Sequence, residues 1–496
     1  MNKGILIIFT TCLIFSIHIR QDFSQTLKRL TLQEVLELAQ DQSPDAILAK
    51  HRFRGSYWQF RTYKAKYRPS LTLTGTTPDY SRMFQIEYVQ GEYKYIEKNS
   101  SSFLLDFALT QNIGFTGGSI FLSSDLARKD EFDPNRTIEY VSTPLSIGYR
   151  QSITAYNPLK WEKKIEPIRY EEAKKNYIDA AEVVNIKGVG LFFNLALAQL
   201  NMEMTGINYS NADTLFRIAQ GRYNIGTIAE DALLQMELAL LNAGTALNQA
   251  GIDLQATEFQ LRSFLGFNEN VKLELIIPSE IPELEVDITK AIEMARNNNP
   301  ELLSLERQLL EAAEAVAEAK SEKGLNVNLF ATFGLTQQAE DRLPGAYESP
   351  FNQQQRVRLG MELPIIDWGL GRGRYKMAQS QEEVIRTQVR QSQIDFEQNI
   401  FLNVNQFNLQ DDQLLIAAKA DTIAQKRYDV TKQRFLIGKI DVLDLNIADS
   451  EKDVAKRGHI AALRNYWTAY YNVRRLTLFD FEREQPLEAD FEKLVE

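Results

Sequence analysis

A duplicated chain of mixed α/β class is predicted, with the strands of a membrane β-barrel set between long coiled-coil helices. Three observations predict it. The same order of helix, strand and long-helix signals occurs twice, short runs alternate apolar and polar side chains, and two tracts of over a hundred residues are nearly free of proline.

The N-terminus comes first in chain order. Met1-Asn2-Lys3 precedes the apolar run Ile5–Ile17, the pattern of a secretory leader, and residues 1–25 are assigned to it. The run is short for a transmembrane helix, which needs about 20 apolar residues; an uncleaved anchor is the alternative. The only cysteine, Cys12, lies in this run, so the mature chain is expected to hold no disulfide and no cysteine metal site. No later apolar stretch reads as long enough to span a membrane as a helix. Residence in a membrane would then require a barrel. The formal net charge of -10 over 496 residues argues against a general nucleic-acid binder, which needs a broad basic surface.

The repeats open in one register. Leu30-Thr31-Leu32-Gln33-Glu34-Val35-Leu36 reaches Ser43-Pro44, and Val286-Asp287-Ile288-Thr289-Lys290-Ala291-Ile292 reaches Asn299-Pro300. Thr31 and Asp287 fall in the same N-cap slot, and Thr31 with Glu34 fits a capping box. Pro44 and Pro300 each predict a break with a new helix directly after it, running to about Lys66 and Glu322.

Alternating segments follow. Phe103, Leu105, Phe107 and Leu109 share one face of a strand; so do Ile120 and Leu122, Leu145, Ile147 and Tyr149, and in the second half Val327, Leu329, Ala331 and Phe333, then Val357, Leu359 and Met361. A period of two with one apolar face fits a barrel wall and also a soluble sandwich. The strands are few and enclosed by helices. A lone chain would leave sheet edges open, which oligomerisation would close.

Long helical tracts run from about Lys160 to Gly266 and from about Arg372 to Leu478, broken near Gly226 and Gly438. An arm of about 60 residues would extend about 90 Å, too long for a compact domain, so the arms are expected to pack as antiparallel coiled coils. The breaks match: Arg222-Tyr223-Asn224-Ile225-Gly226-Thr227 against Arg434-Phe435-Leu436-Ile437-Gly438-Lys439. Glycine suits a reversal because it accepts positive φ. The repeats are bounded as residues 26–283 and 284–481, with 482–496 as a tail.

In this order of parts the sequence resembles the TolC-like outer-membrane efflux proteins, from about Leu30 to Phe481. The opening helices, the strand-to-helix segments Gln151–Leu159 and Leu363–Gly369, and the two aromatic-x-x-Gly turns carry the resemblance. It implies a homotrimer. Each subunit would give four strands to a twelve-stranded barrel in outer-membrane lipid, continued by a periplasmic helical tunnel. The implied partners are a periplasmic membrane-fusion adaptor and an inner-membrane efflux or secretion pump, and the implied function is passive conduction. No cofactor and no nucleic acid are implied.

The resemblance also suggests sites. Acidic side chains beyond the second turn would line the tunnel entrance: Asp444 falls on one such position, Ile447 on a second that it cannot fill, and Asp441 is a nearby alternative. A ring of three aspartates would attract cations; both are equally readable as solvated residues beside a turn. Arg222, Tyr223, Ile225, Gly226, Thr227, Arg434, Phe435, Ile437, Gly438 and Lys439 form candidate adaptor-docking tips. Their aromatic and aliphatic members could equally close the hairpins by packing on the return helix. Half one departs from the family pattern, since Pro69 to Pro158 is too long for one hairpin and Thr116-Gly117-Gly118 resembles an extra reversal. Its surplus hairpin could sit at the barrel base or plug the outside.

Two other classes compete with this reading. An enzyme is disfavoured, because only His51 and His459 follow the leader and no nucleotide-binding glycine loop or catalytic constellation is present. A surface or periplasm-spanning coiled-coil protein without a conducting lumen would explain the helices but not the paired strand blocks.

Overall fold

The computed structural model of the chain describes residues 26–89, 91–132, 136–267, 271–278, 281–437, 439, 440 and 442–495. The leader with Cys12, together with Gly438 and Asp441, lies outside the described residues. The chain divides into two compact units, each built from three chain segments.

Unit one holds residues 1–50, 178–298 and 399–488. Strand β1 (Thr26–Thr31) pairs in parallel with β6 (Val271–Ile276), a pairing with no local sequence signal. Helix α1 (Leu32–Gln42) starts as expected: the Thr31 hydroxyl accepts from the Glu34 amide at 3.3 Å, and the Glu34 carboxylate accepts from the Thr31 amide at 2.8 Å. In α5 (Ile288–Asn298) Asp287 does the same work, accepting from the Lys290 amide at 2.7 Å. The core gathers Leu30, Val35, Phe192, Phe193, Leu261, Leu273, Phe407, Tyr466 and Leu478, all nearly fully buried. At the foot of α10 (Val442–Thr477), Arg474 pairs with Asp480 at 2.9 Å and with Glu182 at 3.3 Å.

Long helices supply the rest of this unit. They are α4 (Glu230–Phe264), α9 (Gln410–Leu436) and α10, together with the part of α3 (Pro158–Asn224, 67 residues) from residue 178 and of α8 (Leu370–Asn408) from residue 399. Pro167 sits inside α3 without ending it. A break the sequence does not announce separates α8 from α9 at Leu409. One correction concerns hydropathy: α3 carries a stretch long and apolar enough to cross a membrane. Its Val184, Val189, Phe192, Phe193 and Leu195 are buried within unit one, so its hydrophobicity serves a protein core.

Unit two holds residues 51–177, 299–398 and 489–496. Helices α2 (Pro44–Ala65) and α6 (Pro300–Glu322) open at the two prolines. The residue before each proline caps its helix. The Ser43 hydroxyl accepts from the Ala46 amide at 3.2 Å, and the Asn299 carbonyl oxygen accepts from the Glu301 amide at 2.8 Å. The C-terminal tail, read from sequence only as a tail, forms α11 (Phe491–Val495), and the Phe491 ring packs 5.2 Å from that of Phe53.

One antiparallel sheet dominates unit two. Its order is β2 (Ser70–Val89), β3 (Glu92–Ile113), β4 (Gly118–Glu131), β5 (Thr137–Ser152), β7 (Asn326–Glu340) and β8 (Asn352–Glu362). The family resemblance implied four strands per chain; this sheet has six. The surplus hairpin is β2–β3, and it extends the sheet instead of standing apart as a base or plug. The short helix α7 (Gly345–Glu348) interrupts the expected loop between β7 and β8.

Candidate functional site

Registry across the sheet aligns the side chains into rows. One row runs Leu71, Leu109, Leu122, Ile147, Phe333 and Gln355, and its neighbour includes Ile120, Tyr149, Ala331 and Val357. The row on the opposite face runs Thr72, Ala108, Ser123, Ser146, Gly334 and Gln354. One face is thus apolar, and the other is mostly small or polar, with the rings of Phe121 and Phe330 stacked on it among arginines. The apolar side chains are exposed, including Leu73, Phe107, Leu359 and Met361. Among the described residues no core covers this face, as one would in a soluble sandwich. Beyond β8 the segment Leu363–Leu370 exposes Ile365, Ile366 and Trp368, the last 96 % exposed.

The two helical tips share one backbone design. At the first, the Gly226 amide donates to the Tyr223 carbonyl at 2.8 Å and the Thr227 amide to the Arg222 carbonyl at 2.9 Å, with Gly226 at φ +77°. At the second, the Lys439 amide donates to the Arg434 carbonyl at 2.9 Å. Each arginine therefore anchors its turn through its carbonyl, and such reversals satisfy the last orphan acceptors of a helix.

Their side chains differ. Tyr223, Ile225, Thr227, Arg434, Ile437 and Lys439 are exposed, and Arg222 is half-buried. Phe435 is buried: it packs with Tyr428, Leu445, Leu215 and Ile440, and so closes the hairpin. Asp444 stands exposed in the first turn of α10 and Ile447 is exposed in the next turn, while Leu445 and Ala448 are buried.

A polar network links α3 to this second hairpin, and the sequence does not signal it. Asn211 donates to the Tyr428 hydroxyl at 3.3 Å, and Asn208 donates to Asp453 at 2.7 Å. The Lys452 ammonium lies 2.7 Å from Asp449, 3.3 Å from Asp453 and 4.1 Å from the centre of the Tyr428 ring. Burial works against the Lys452 charge, but the hydrogen bond to Asp449 and the two aspartate charges outweigh it and hold its pKa above the ordinary lysine range. Burial first, then Asp449, pushes the Tyr428 hydroxyl above its usual value.

Among the described residues, two helical surfaces carry exposed apolar rows. On α4, Leu234, Leu238, Leu241, Ile252 and Phe259 follow a three-four spacing and are exposed. Leu402, Leu409, Ile416, Ile423, Val430 and Ile437 recur every seventh residue from α8 through the end of α9, all exposed. A seven-residue repeat is the seam of a left-handed supercoil. Among the described residues no three His, Cys, Asp or Glu side chains gather as a metal would require.

An amphipathic antiparallel sheet with long helical hairpins is a fold this chain shares with solved outer membrane channels. Residues 291–477 match the family described as Outer membrane efflux protein. The CmeC outer membrane channel of Campylobacter jejuni superposes with a TM-score of 0.65 at 16 % identity, over 93 % of this chain and 88 % of that one. VceC, an outer membrane protein of Vibrio cholerae, gives 0.57 at 14 % identity, over 90 % and 95 %. MtrE of Neisseria gonorrhoeae, an outer membrane channel solved in an open state, gives 0.57 at 12 % identity, over 90 % and 88 %. No curated protein sequence matches the chain. The family match over residues 291–477 and the fold shared over most of the chain agree with the TolC-like resemblance read from the sequence.

Proposed function

We infer that three copies of this chain form a passive outer-membrane channel of a tripartite efflux or type I secretion system. The observation that carries this is the exposed apolar face shared by every strand of a sheet whose two edges are open. Such a face is stable in lipid, and there the edges must be closed by other strands. The unpartnered rows on α4 and on α8–α9 support the same assembly, because a coiled-coil seam needs a facing helix.

In this channel the sheets build the barrel and the helices form a periplasmic tunnel, with residues 1–25 as leader and 26–283 and 284–481 as the two repeats. Cargo enters from an adaptor and an inner-membrane pump. The exposed tip residues Tyr223, Ile225, Arg434, Ile437 and Lys439 are the docking surface for the adaptor. Asp444 forms a ring of three carboxylates at the entrance, with Asp441 as the second candidate.

Conductance in planar bilayers tests this. Purified protein is expected to give small, cation-preferring channels, with larger conductance and weaker cation preference in Asp444→Ala. Absence of conductance in either form would favour the non-conducting coiled-coil protein. Unchanged conductance and selectivity in the variant would remove Asp444 from the gate and leave the channel standing.

A further inference from the structure

We propose that this chain builds an eighteen-stranded barrel, in which the β2–β3 hairpin is part of the wall and β2 of each copy pairs with β8 of the next. The proposal rests on the trimer inferred above and concerns what each copy contributes to it.

The hairpin has the faces of a wall. Leu71 and Leu73 of β2, with Leu105, Phe107 and Leu109 of β3, continue the apolar face of β4 to β8 without a change of side. Thr72, Thr74, Ala108 and Thr110 continue the opposite face. A plug or an external flap has no reason to keep this alternation in phase with the barrel, since one slipped residue would reverse it.

The hairpin is also bonded as a wall. β3 pairs with β4 without interruption from Ser100 opposite Glu131 to Ile113 opposite Gly118. Freeing it to leave β4 as the sheet edge would break that whole ladder.

Closure then follows from direction and number. The sheet is antiparallel throughout, so its six strands place β2 and β8 in opposite directions. Joining β8 of one copy to β2 of another continues the same antiparallel pattern. Six strands fall short of the roughly eight of the smallest outer-membrane barrels, so one chain cannot close on itself. β8, with 11 residues, has the length of a membrane-crossing strand, about 9–11. The exposed Ile365, Ile366 and Trp368 follow directly on that edge, where a neighbouring copy would cover them.

Three copies of six strands give eighteen. Barrel diameter grows roughly in proportion to strand number, so the backbone radius would be about 18 Å, against about 12 Å for twelve strands at a spacing of about 4.8 Å and a tilt of about 40°. The outer mouth would have about twice the cross-section of a twelve-stranded one. It would admit bulkier cargo.

Disulfide trapping in isolated outer membranes tests the edge. With Cys12 replaced by serine, Thr74→Cys in β2 is combined in turn with Gln354→Cys, Arg356→Cys and Arg358→Cys in β8, all on the polar face. A second set replaces the β2 cysteine with Ser123→Cys in β4. Non-reducing gels and the native mass of the extracted protein are read together. Expected are covalent species of two and three copies from at least one Thr74 pair, none from Ser123, and a trimeric mass. Crosslinks from Ser123 instead would show that the hairpin lies outside the wall and overturn the eighteen-stranded barrel. A trimeric mass with no crosslink from either set would overturn it too, leaving the trimer intact. A dimeric or monomeric mass would overturn the trimer itself, and the strand count with it.

Discussion

Replacing Lys452 by methionine should loosen the second helical tip. Methionine keeps the apolar stem but removes the ammonium held between Asp449 and Asp453. The Lys452 side chain is 10 % exposed and that of Asp453 12 %, so among the described residues Asp453 would keep the Asn208 amide at 2.7 Å as its partner. Removing one partner of a buried ion pair costs about 3–5 kcal/mol. Asp449 is more exposed and can turn to water, which favours the lower end, about 3 kcal/mol. At about 1.4 kcal/mol per tenfold change, local opening rises by about 100-fold. Amide hydrogen exchange at pH 7 reads this as an equal loss of protection over residues 425–436 and 443–456. Adding Asp453→Asn to the variant should restore part of it, because a neutral amide tolerates the missing cation. Protection within about threefold of the parent in Lys452→Met would refute the inference that this network holds the tip. Because the folded-state pKa of Lys452 is raised, its contribution is complete below the ordinary lysine value of 10.5 and is lost only as pH climbs through the higher folded value.

Two further outcomes test the two units separately. Arg474→Met should destabilise unit one by about 3–5 kcal/mol at pH 7, since it strands the buried Glu182 and Asp480. Burial already raises the Glu182 pKa above 4.5, and loss of the arginine raises it further, so the penalty should shrink as acid protonates Glu182; a pH-independent loss in thermal unfolding would contradict this. In unit two, Leu359→Arg on the apolar face should lower outer-membrane accumulation, at a cost of about 2–4 kcal/mol at mid-membrane, whereas Ser123→Arg on the opposite face should be tolerated. Equal accumulation of the two variants in membrane fractions would reverse or remove the assigned faces.

Local chemistry was legible in the sequence where a local residue causes it. Thr31 with Glu34, Asp287, Pro44 and Pro300 start their helices as their side chains dictate. The strands holding Phe103–Leu109, Ile120–Leu122 and Val327–Phe333 declare themselves through alternation that the sheet keeps. The β1–β6 pair was not legible, because its partners lie 245 residues apart in positions such as Arg29 and Glu274 and share no local period. β2 was illegible for another reason. Its register shifts between Thr76 and Asp79, and beyond that Tyr80 to Tyr95 mix aromatic and charged side chains on both faces, with little burial to separate them. The break at Leu409 has no glycine or proline to announce it. At the tips, position gave the turns but not the side-chain roles. Tyr223 and Phe435 occupy the same slot, yet only Phe435 is buried, because Leu445 and Leu215 meet it there.

That last difference bears on how a duplicated chain can divide two tasks. The second hairpin finds its partners inside the chain: Leu215, Asn208 and Asn211 of α3 meet Tyr428, Phe435 and Asp453. Breaking these contacts has a definite free-energy cost that the chain itself sets. The first hairpin lacks such closure among the described residues. Its α4 row is exposed, and Tyr223 and Ile225 stand in solvent at its end. Helix stability at this length comes mostly from packing an apolar face, so α4 needs a surface that one copy does not provide. Assembly would therefore draw on α4, the α8–α9 row and the sheet edges, while resistance to opening draws on the α3 contacts. A substitution in the Lys452 network should then alter opening without altering the mass of the assembly. Substitutions along Leu234, Leu238 and Leu241 should do the reverse.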